Sequence, residues 1–339
     1  MSHQERPQPT RRTVAQMVVV GLIASVIGIA IGLAIHWFPP ADSTQADKID
    51  TLWDVLIIVS VPIFVLVTVV VLFSVLNFRM RPGEEELDGP PIHGNTRLEV
   101  VWTAIPAIIL VSLCSYAYIV LTDIEQAPAS GKERIVQVTG QQFAWTFEYN
   151  EGGKRFKTAQ LYIPAGESVK FDVHSKDVIH DFWVPDFRMK IDAVPGITTS
   201  YRVTPKQSAV GDHTIVCAEL CGLGHAYMRQ TAHVLSGPAF AAWVRKMTAP
   251  AQQPAAGAPA PKVDAKQLFV AGKAQTGATA CGTCHTLADA GTTGQVGPVL
   301  DKVLAGKDAA FIKQSIENPD AVIAPGFSKG IMPPNYRDT

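Results

Sequence analysis

Three long apolar runs in the first third of the chain limit what it can fold into more than any other feature. Residues 14–38 are apolar with Gln16 and His36 as their main interruptions. Residues 52–78 are broken only by Asp54, Ser60, Thr68, Ser74 and Asn77, and residues 100–121 form the third run. Each holds about 20 residues or more, enough to cross a hydrocarbon layer ~30 Å thick as a helix. A soluble helix of that length needs a polar face, which these lack. Arg6, Arg11 and Arg12 precede the first run, and Arg79, Arg81 and Arg97 lie between the second and third, whereas only Lys48 lies between the first two. Basic residues stay on the cytoplasmic side, so the N-terminus and residues 79–98 are expected inside and everything after Leu121 outside. A cleaved signal peptide is the alternative for the first run. Its length and the want of a small-residue cleavage site favour a retained helix. Pro62 and Pro106 fall inside spans, where each is expected to mark a kink. Glu99 stands at the cytoplasmic start of the third span beside Arg97, either as an interfacial carboxylate or as part of a proton path.

The outward part has a different texture. Residues 134–139 (RIVQVT) and 168–173 alternate apolar and polar residues, and 143–149, 199–204, 213–217 and 230–235 are further strand candidates. Turn residues at 150–153, 164–166, 195–196 and 211–212 separate them, as in a Greek-key sandwich or barrel. Residues 248–261 (TAPAQQPAAGAPAP) cannot bury a core and are expected to be an extended linker reaching on the order of 40 Å. Residues 262–339 are again globular in composition but few for a domain, so a cofactor is expected at their core. The net charge of −1 gives no electrostatic basis for nucleic-acid binding.

Two of the five cysteine positions form one close pair, Cys217 and Cys221, and two more form another, Cys281 and Cys284. Close pairs beside histidines point to metal or haem rather than to a disulfide framework. The run Cys217-Ala-Glu-Leu-Cys221-Gly-Leu-Gly-His225-Ala-Tyr-Met228 gathers thiolates, an imidazole and a thioether, donors soft enough to select copper. Gly222 and Gly224 let the loop fold tightly. His180, in Asp177-Val-Ile-His-Asp-Phe-Trp-Val-Pro, is expected to join from a separate loop. Zinc is the rival metal, but its Cys₂His₂ sites favour other spacings, and Met228 suits it poorly.

With these residues in view, residues from about 51 to 235 resemble subunit II of cytochrome c oxidase. The resemblance rests on Glu99-Val-Val-Trp-Thr-Ala-Ile-Pro-Ala, the aromatic run Gln142–Tyr149, Asp177–Pro185, Lys190-Ile-Asp-Ala-Val-Pro-Gly and the copper loop. It implies a cupredoxin-like barrel holding a dinuclear copper centre, CuA, with Cys217 and Cys221 bridging and His180 and His225 each on one ion. Met228 and the Glu219 carbonyl would complete the set, and the Glu219 carboxylate would bind a magnesium ion shared with the catalytic subunit. It also implies a proton-entry acid at Glu99 and interface positions at Lys190 and Asp192. In the family an entry Trp follows the Gln; here Phe143 stands in its place, with Trp145 two residues on, so docking of a diffusible cytochrome at this face is in question.

Cys281-Gly-Thr-Cys284-His285 is the c-type haem attachment signature. With a helix candidate at 265–272, Gly297-Pro298 and Met332-Pro-Pro, residues 262–339 resemble class I cytochrome c, which implies Met332 as second axial ligand. Together the pieces resemble a caa-type haem–copper oxidase subunit II. The expectation is therefore a membrane α-helical anchor (1–128), an all-β cupredoxin-like Greek-key barrel (129–247), the linker (248–261) and a small all-α cytochrome c domain (262–339). Expected partners are oxidase subunit I and other oxidase subunits, with a cytochrome c or cytochrome bc complex as donor, in a bacterial cell membrane. Such a complex reduces dioxygen to water with proton translocation at a site outside this chain. The alternatives are a CuA subunit of a nitric oxide reductase and a copper-delivery protein; a quinol oxidase subunit would need no copper ligands. Cys114 reads as apolar filler in the third span. His3, His36, His93, His174, His213 and His233 lack ligand-spaced partners and read as surface, interface or strand residues, and Glu84–Glu86 as a solvated run.

Overall fold

Helices α1 (Arg11–Ala34), α2 (Thr44–Phe78) and α3 (Thr96–Ile124) are each long and apolar enough to cross a membrane. Side chains such as Leu22, Val26, Phe64, Leu66, Ile108 and Val111 stand exposed on them. Water penalises such surface, whereas hydrocarbon does not. The computed structural model describes residues 11–80, 82–83, 93–129, 131–249, 264–272 and 280–332. His3, Arg6, Arg81, the Glu84–Glu86 run and linker residues 250–261 lie outside the described residues. The chain divides into two compact units: one made of the residues up to Pro39 with Lys48–Ile124, the other of Pro40–Asp47 with the residues from Glu125 onward.

Within the helical unit, small residues set the approach of α1 to α2. A Cβ on Gly28 would strike Val61, and one on Gly32 would strike Ile57. Glycines four apart thus let the two backbones come close, the usual device where lipid removes the hydrophobic drive for helix association. Pro62 and Pro106 lie inside α2 and α3. The start of α3 is set by reciprocal caps. Asn95 Oδ1 accepts the Leu98 N–H, and Glu99 Oε1 accepts the Asn95 N–H at 3.0 Å.

The second unit contains two five-stranded sheets. The strands are β1 (Arg134–Gln141), β2 (Ala144–Glu151), β3 (Lys154–Thr158), β4 (Leu161–Pro164), β5 (Val169–Ser175), β6 (His180–Trp183), β7 (Lys190–Ala193), β8 (Thr199–Val203), β9 (Gly211–Cys217) and β10 (Arg229–Leu235). One sheet runs β3-β2-β1-β5-β8 and the other β4-β10-β9-β6-β7, with β1·β5 and β4·β10 parallel. Alternation decides which face is inside: Val169, Phe171, Val173 and Ser175 of β5 are buried, and the residues between them are partly exposed. Phe182 sits where the two sheets meet, fully buried, with the rings of Trp145, Phe147, Phe171 and Tyr201 around it at 5.3–6.1 Å. Helix α4 (Gly237–Thr248) lays Trp243 against Tyr149, Phe156 and Tyr162.

Pro40–Asp47 belongs with the sheets, although it falls inside the anchor as read from the sequence. The Thr44 N–H donates to Thr204 O, and the Thr204 N–H donates to Gln45 Oε1. Further along the chain lie α5 (Ala265–Ala271), the two-residue pair β11 (Thr286–Leu287) and β12 (Thr292–Thr293), α6 (Leu300–Val303) and α7 (Ala309–Glu317). Asp264 and Asp308 cap α5 and α7 through their side chains.

Phe182→Ala would empty the centre of the sheet core. The expected loss is about 3–5 kcal/mol, read as a lower denaturant midpoint in the tryptophan fluorescence of this unit. A shift below about 1 kcal/mol would show that the rings around Phe182 collapse into the space.

Candidate metal centre

Strand pairing brings the metal-type donors together. Phe182 pairs with Cys217 and Trp183 with Val216, so His180, at the start of β6, stands beside the end of β9. The chain leaves β9 at Cys217 and returns into β10 at Arg229, opposite Val216. The Cys217 N–H donates to Met228 O at 3.1 Å and closes the loop at its base. Inside it the His225 N–H donates to Gly222 O, and His225–Tyr227 forms a 3₁₀ turn. Gly222 has φ +130, a conformation side chains avoid, and a Cβ on Gly224 would overlap the Phe143 ring. Both glycines are therefore required where they stand.

The donors converge. Cys217 Sγ lies 3.8 Å from Cys221 Sγ, 3.9 Å from His180 Nδ1 and 3.2 Å from Glu219 O. Cys221 Sγ lies 3.6 Å from His225 Nδ1 and 3.8 Å from Met228 Sδ. Two donors at ordinary metal–sulfur and metal–nitrogen bond lengths on one tetrahedral ion would sit about 3.5–3.8 Å apart. Both thiols are free, and each histidine lies against a different one. The donor set thus fits a pair of soft ions held between two thiolates. Burial, with Cys217 adjacent, pushes the Cys221 thiol up to about 12. A cation between the sulfurs reverses that cost, so loading the site releases protons.

His180 is fully buried, and its orientation is locked. Its Nε2 lies 2.9 Å from Asp177 Oδ1. Burial works to raise the Asp177 carboxyl, but the Gln142 N–H, His180 and the Val178 N–H outweigh it and hold the group below the usual carboxylate range. An ionised Asp177 keeps the His180 proton on Nε2 and turns the Nδ1 lone pair toward Cys217. Nothing in the sequence marks Asp177 except its place three residues before His180 in the same motif. Gly140 leaves room for the imidazole, since a Cβ there would meet the His180 ring.

The remaining expected residues take different places. Phe143 is only 8% exposed, its ring under Gly222 and Gly224. Trp145 is fully buried and meets the His180 ring edge-on at 5.9 Å. The Glu219 carboxylate is exposed; Lys190 donates to Asp181 Oδ2 at 2.6 Å, which raises its ammonium, with smaller contributions from Asp192 and Glu219. Glu99 is apart from these, in the helical unit, as a cap of α3. Cys114 is exposed on α3. His174 bonds Thr139 Oγ1 and His233 bonds Asp212, as strand residues. His36 and His93 are exposed. His213 is a strand residue too, but Asp42 and Asp186 meet it from distant parts of the chain.

Cys281, Cys284 and His285 form a second tight motif. The N–H groups of Cys284 and His285 both donate to Cys281 O, at 3.1 and 3.0 Å. His285 Nδ1 lies 3.0 Å from Pro298 O, which fixes the proton there and leaves Nε2 free to ligate. A Cβ on Gly297 would strike the imidazole, and one on Gly294 the backbone of Cys284. Burial raises the Cys281 thiol, and burial with Cys281 beside it raises Cys284 to about 11. Thioether bonds remove that penalty. Met332 is the last described residue and is half-buried; no hydrogen bond ties it to this motif among the described residues.

Three family models match the chain. Residues 19–120 match the family described as cytochrome C oxidase subunit II, transmembrane domain, and residues 155–234 its periplasmic domain. Residues 269–339 match cytochrome c. A cytochrome c oxidase subunit 2 of Thermostichus vulcanus is 32% identical over 71% of this chain and 86% of its own length. Another, of Alkalihalophilus pseudofirmus, is 34% identical over 83% of this chain and 81% of its own. The solved periplasmic domain of subunit II of cytochrome oxidase (CoxB) of Bradyrhizobium japonicum is 29% identical over 33% of this chain and 91% of that one, with a TM-score of 0.31.

The lock on His180 has a measurable consequence. Asp177→Asn leaves every donor in place but removes the charge that holds the imidazole. Copper affinity is expected to fall by roughly 10–100-fold, measured by competition with a chelator. Unchanged affinity would show that packing against Gly140 and Trp145 orients the ring alone.

Proposed function

Because the chain belongs to the cytochrome c oxidase subunit II family and carries a cytochrome c domain at its C-terminus, we propose that it is the electron-entry subunit, passing electrons from haem c to a dinuclear copper centre and on to the catalytic subunit. Members of this family are parts of an oxidase complex, and the two domain matches imply copper and haem c. The observation that carries the reading is the convergence of two free thiols, two imidazoles, a thioether and a carbonyl at 3.2–3.9 Å, in one chain with an attachment motif whose histidine is already oriented.

Cys217 and Cys221 would bridge the copper pair, His180 and His225 would each hold one ion, and Met228 and the Glu219 carbonyl would complete the set. When bound, such a centre accepts and releases one electron with little change in its bonds. The protein's part is rigidity. The ligands come from β6 and from the end of β9 and the loop that follows it, the loop is closed by the Cys217–Met228 backbone bond, and Asp177 fixes the buried imidazole. Rigid donors keep the same geometry in both redox states. Cys281 and Cys284 would hold the haem covalently, with His285 and Met332 as axial ligands, a pair that raises its potential. The 248–261 segment would tether haem to copper, making the transfer intramolecular at an effective concentration in the millimolar range. Trp145, which meets the His180 ring edge-on at 5.9 Å, is an aromatic group on the expected path. The burial of Phe143 fits entry through the tethered haem rather than through the older docking face.

On this reading the Glu219 carboxylate supplies a magnesium ligand at the interface with subunit I. Glu99, held by the Asn95 N–H, stands near a proton entry. The complex sits in a bacterial cell membrane with its metal and haem domains outside, takes electrons from a cytochrome c or cytochrome bc complex, and couples dioxygen reduction to proton translocation. A ligand set split between β6 and the loop after β9, with both thiols and His180 buried, opposes a delivery role, which needs ready exchange.

In the purified complex, Met332→Ala, or Cys281→Ser to prevent full haem attachment, is expected to slow reduction of copper by an external cytochrome donor by at least about tenfold, followed by stopped-flow absorbance. Copper reduction at the unmodified rate in both variants would sink entry through the haem.

A further inference from the structure

A second cluster of ligand-type side chains lies outside the copper and haem motifs. Asp42, on the segment between α1 and α2, Asp186, in the Pro185–Phe187 turn after β6, and His213, near the start of β9, place one donor atom each within 4.8 Å of one another. Their side chains are 19%, 21% and 8% exposed. We propose that these three residues form a divalent-cation site, with zinc the ion that its one imidazole and two carboxylates suit best.

The argument rests on where the lone pairs point. His213 Nε2 lies 2.8 Å from Ala209 O, an acceptor with no proton to give, so that nitrogen carries the hydrogen. Nδ1 then faces Asp186 Oδ2 at 2.7 Å and Asp42 Oδ2 at 3.8 Å. A bare lone pair between two carboxylates is repulsive, so a cation belongs there, either a proton or a metal ion. A proton on Nδ1 hydrogen-bonds Asp186 and reaches Asp42 only as an ion pair at 3.8 Å. Asp42 is four-fifths buried, yet its carboxylate accepts no hydrogen bond among the described residues. Burying a carboxylate without a donor is costly. One metal ion satisfies all three groups at once. A histidine whose other nitrogen is held by a backbone carbonyl is the usual arrangement around zinc, and three protein ligands leave a fourth position for water.

The ligands are held independently of any ion. The Asp42 N–H donates to Asp186 O at 3.0 Å, and the Lys206 N–H to Asp42 O at 2.9 Å. Ser43 Oγ donates to Phe187 O, and Arg188 donates to Pro185 O and Pro40 O. Phe187 packs on the His213 ring at 5.5 Å. The site is separate from the copper donors, since His213 and Cys217 are four residues apart on β9, about 13 Å along a strand. An ion here would pin the Pro40–Asp47 segment to the roots of the two strands that carry His180 and Cys217.

Equilibrium dialysis of the purified copper- and haem-loaded complex against zinc, with metal analysis, tests this. The unmodified complex is expected to take up one zinc per chain that Asp42→Asn and His213→Gln bind more weakly, by more than the roughly 10–100-fold that losing an outer partner costs. Copper content and the haem spectrum are expected to stay unchanged. Zinc is also expected to raise the thermal midpoint of the unmodified complex but not that of Asp42→Asn, whose backbone bonds keep the segment in place. No zinc uptake by the unmodified complex, or equal uptake and equal thermal response in Asp42→Asn, would overturn the proposal and leave a proton-bridged Asp186–His213 pair.

Discussion

The pairing of Phe182 with Cys217 between β6 and β9 is the contact on which the rest of the extramembrane unit depends. It seats a cluster of rings in the core and sets the copper donors at one end of the same buried face. Phe182 points into that cluster, and Cys217 lies at the point where β9 gives way to the loop. A slip of one residue in this register would turn Phe182 out of the core and carry His180 away from Cys217 together. Core packing and ligand geometry are thus enforced by the same hydrogen-bonded ladder. The candidate metal centre borrows its rigidity from the hydrophobic core.

The membrane spans were legible because hydropathy over about 20 residues needs no tertiary information. Their ends were not. α1 stops at Ala34 although Trp37 and Phe38 are apolar, and α2 begins at Thr44, eight residues before its apolar run. Those first turns are polar because Thr44–Asp47 bonds to Thr204 and Lys206 rather than facing lipid. Among the strands, Arg134–Gln141 and Val169–Ser175 showed their alternation plainly. β6 did not, because three of its four residues are buried and no alternation remains to be seen. β3, Lys154–Thr158, lies at a sheet edge, where its lysines and arginine discourage further pairing but also mask the pattern. α4 went unrecognised beside the Pro/Ala segment that follows it, although Phe240 and Trp243 lie on one face.

The copper loop was legible because its donors lie within twelve residues and their chemistry is narrow. His180 was legible through its motif rather than its spacing, since 37 residues separate it from Cys217. Asp42, Asp186 and His213 were beyond reach for the same reason carried further. Nothing in the spacing of positions 42, 186 and 213 marks them, and only the fold brings three segments to one point.

One device recurs at each of these histidines. His180 gives its Nε2 to Asp177, His285 gives its Nδ1 to the Pro298 carbonyl, and His213 gives its Nε2 to the Ala209 carbonyl. In each case one ring nitrogen is committed to an acceptor that carries no proton, so the other faces a chosen direction. For His180 that direction is Cys217, and for His213 it is a pair of carboxylates. Glycine completes two of the three, since Gly140 and Gly297 leave the space that the rings of His180 and His285 occupy. An imidazole fixed in this way loses little freedom when it binds a cation. The orientation is supplied by folding, before any metal or haem arrives.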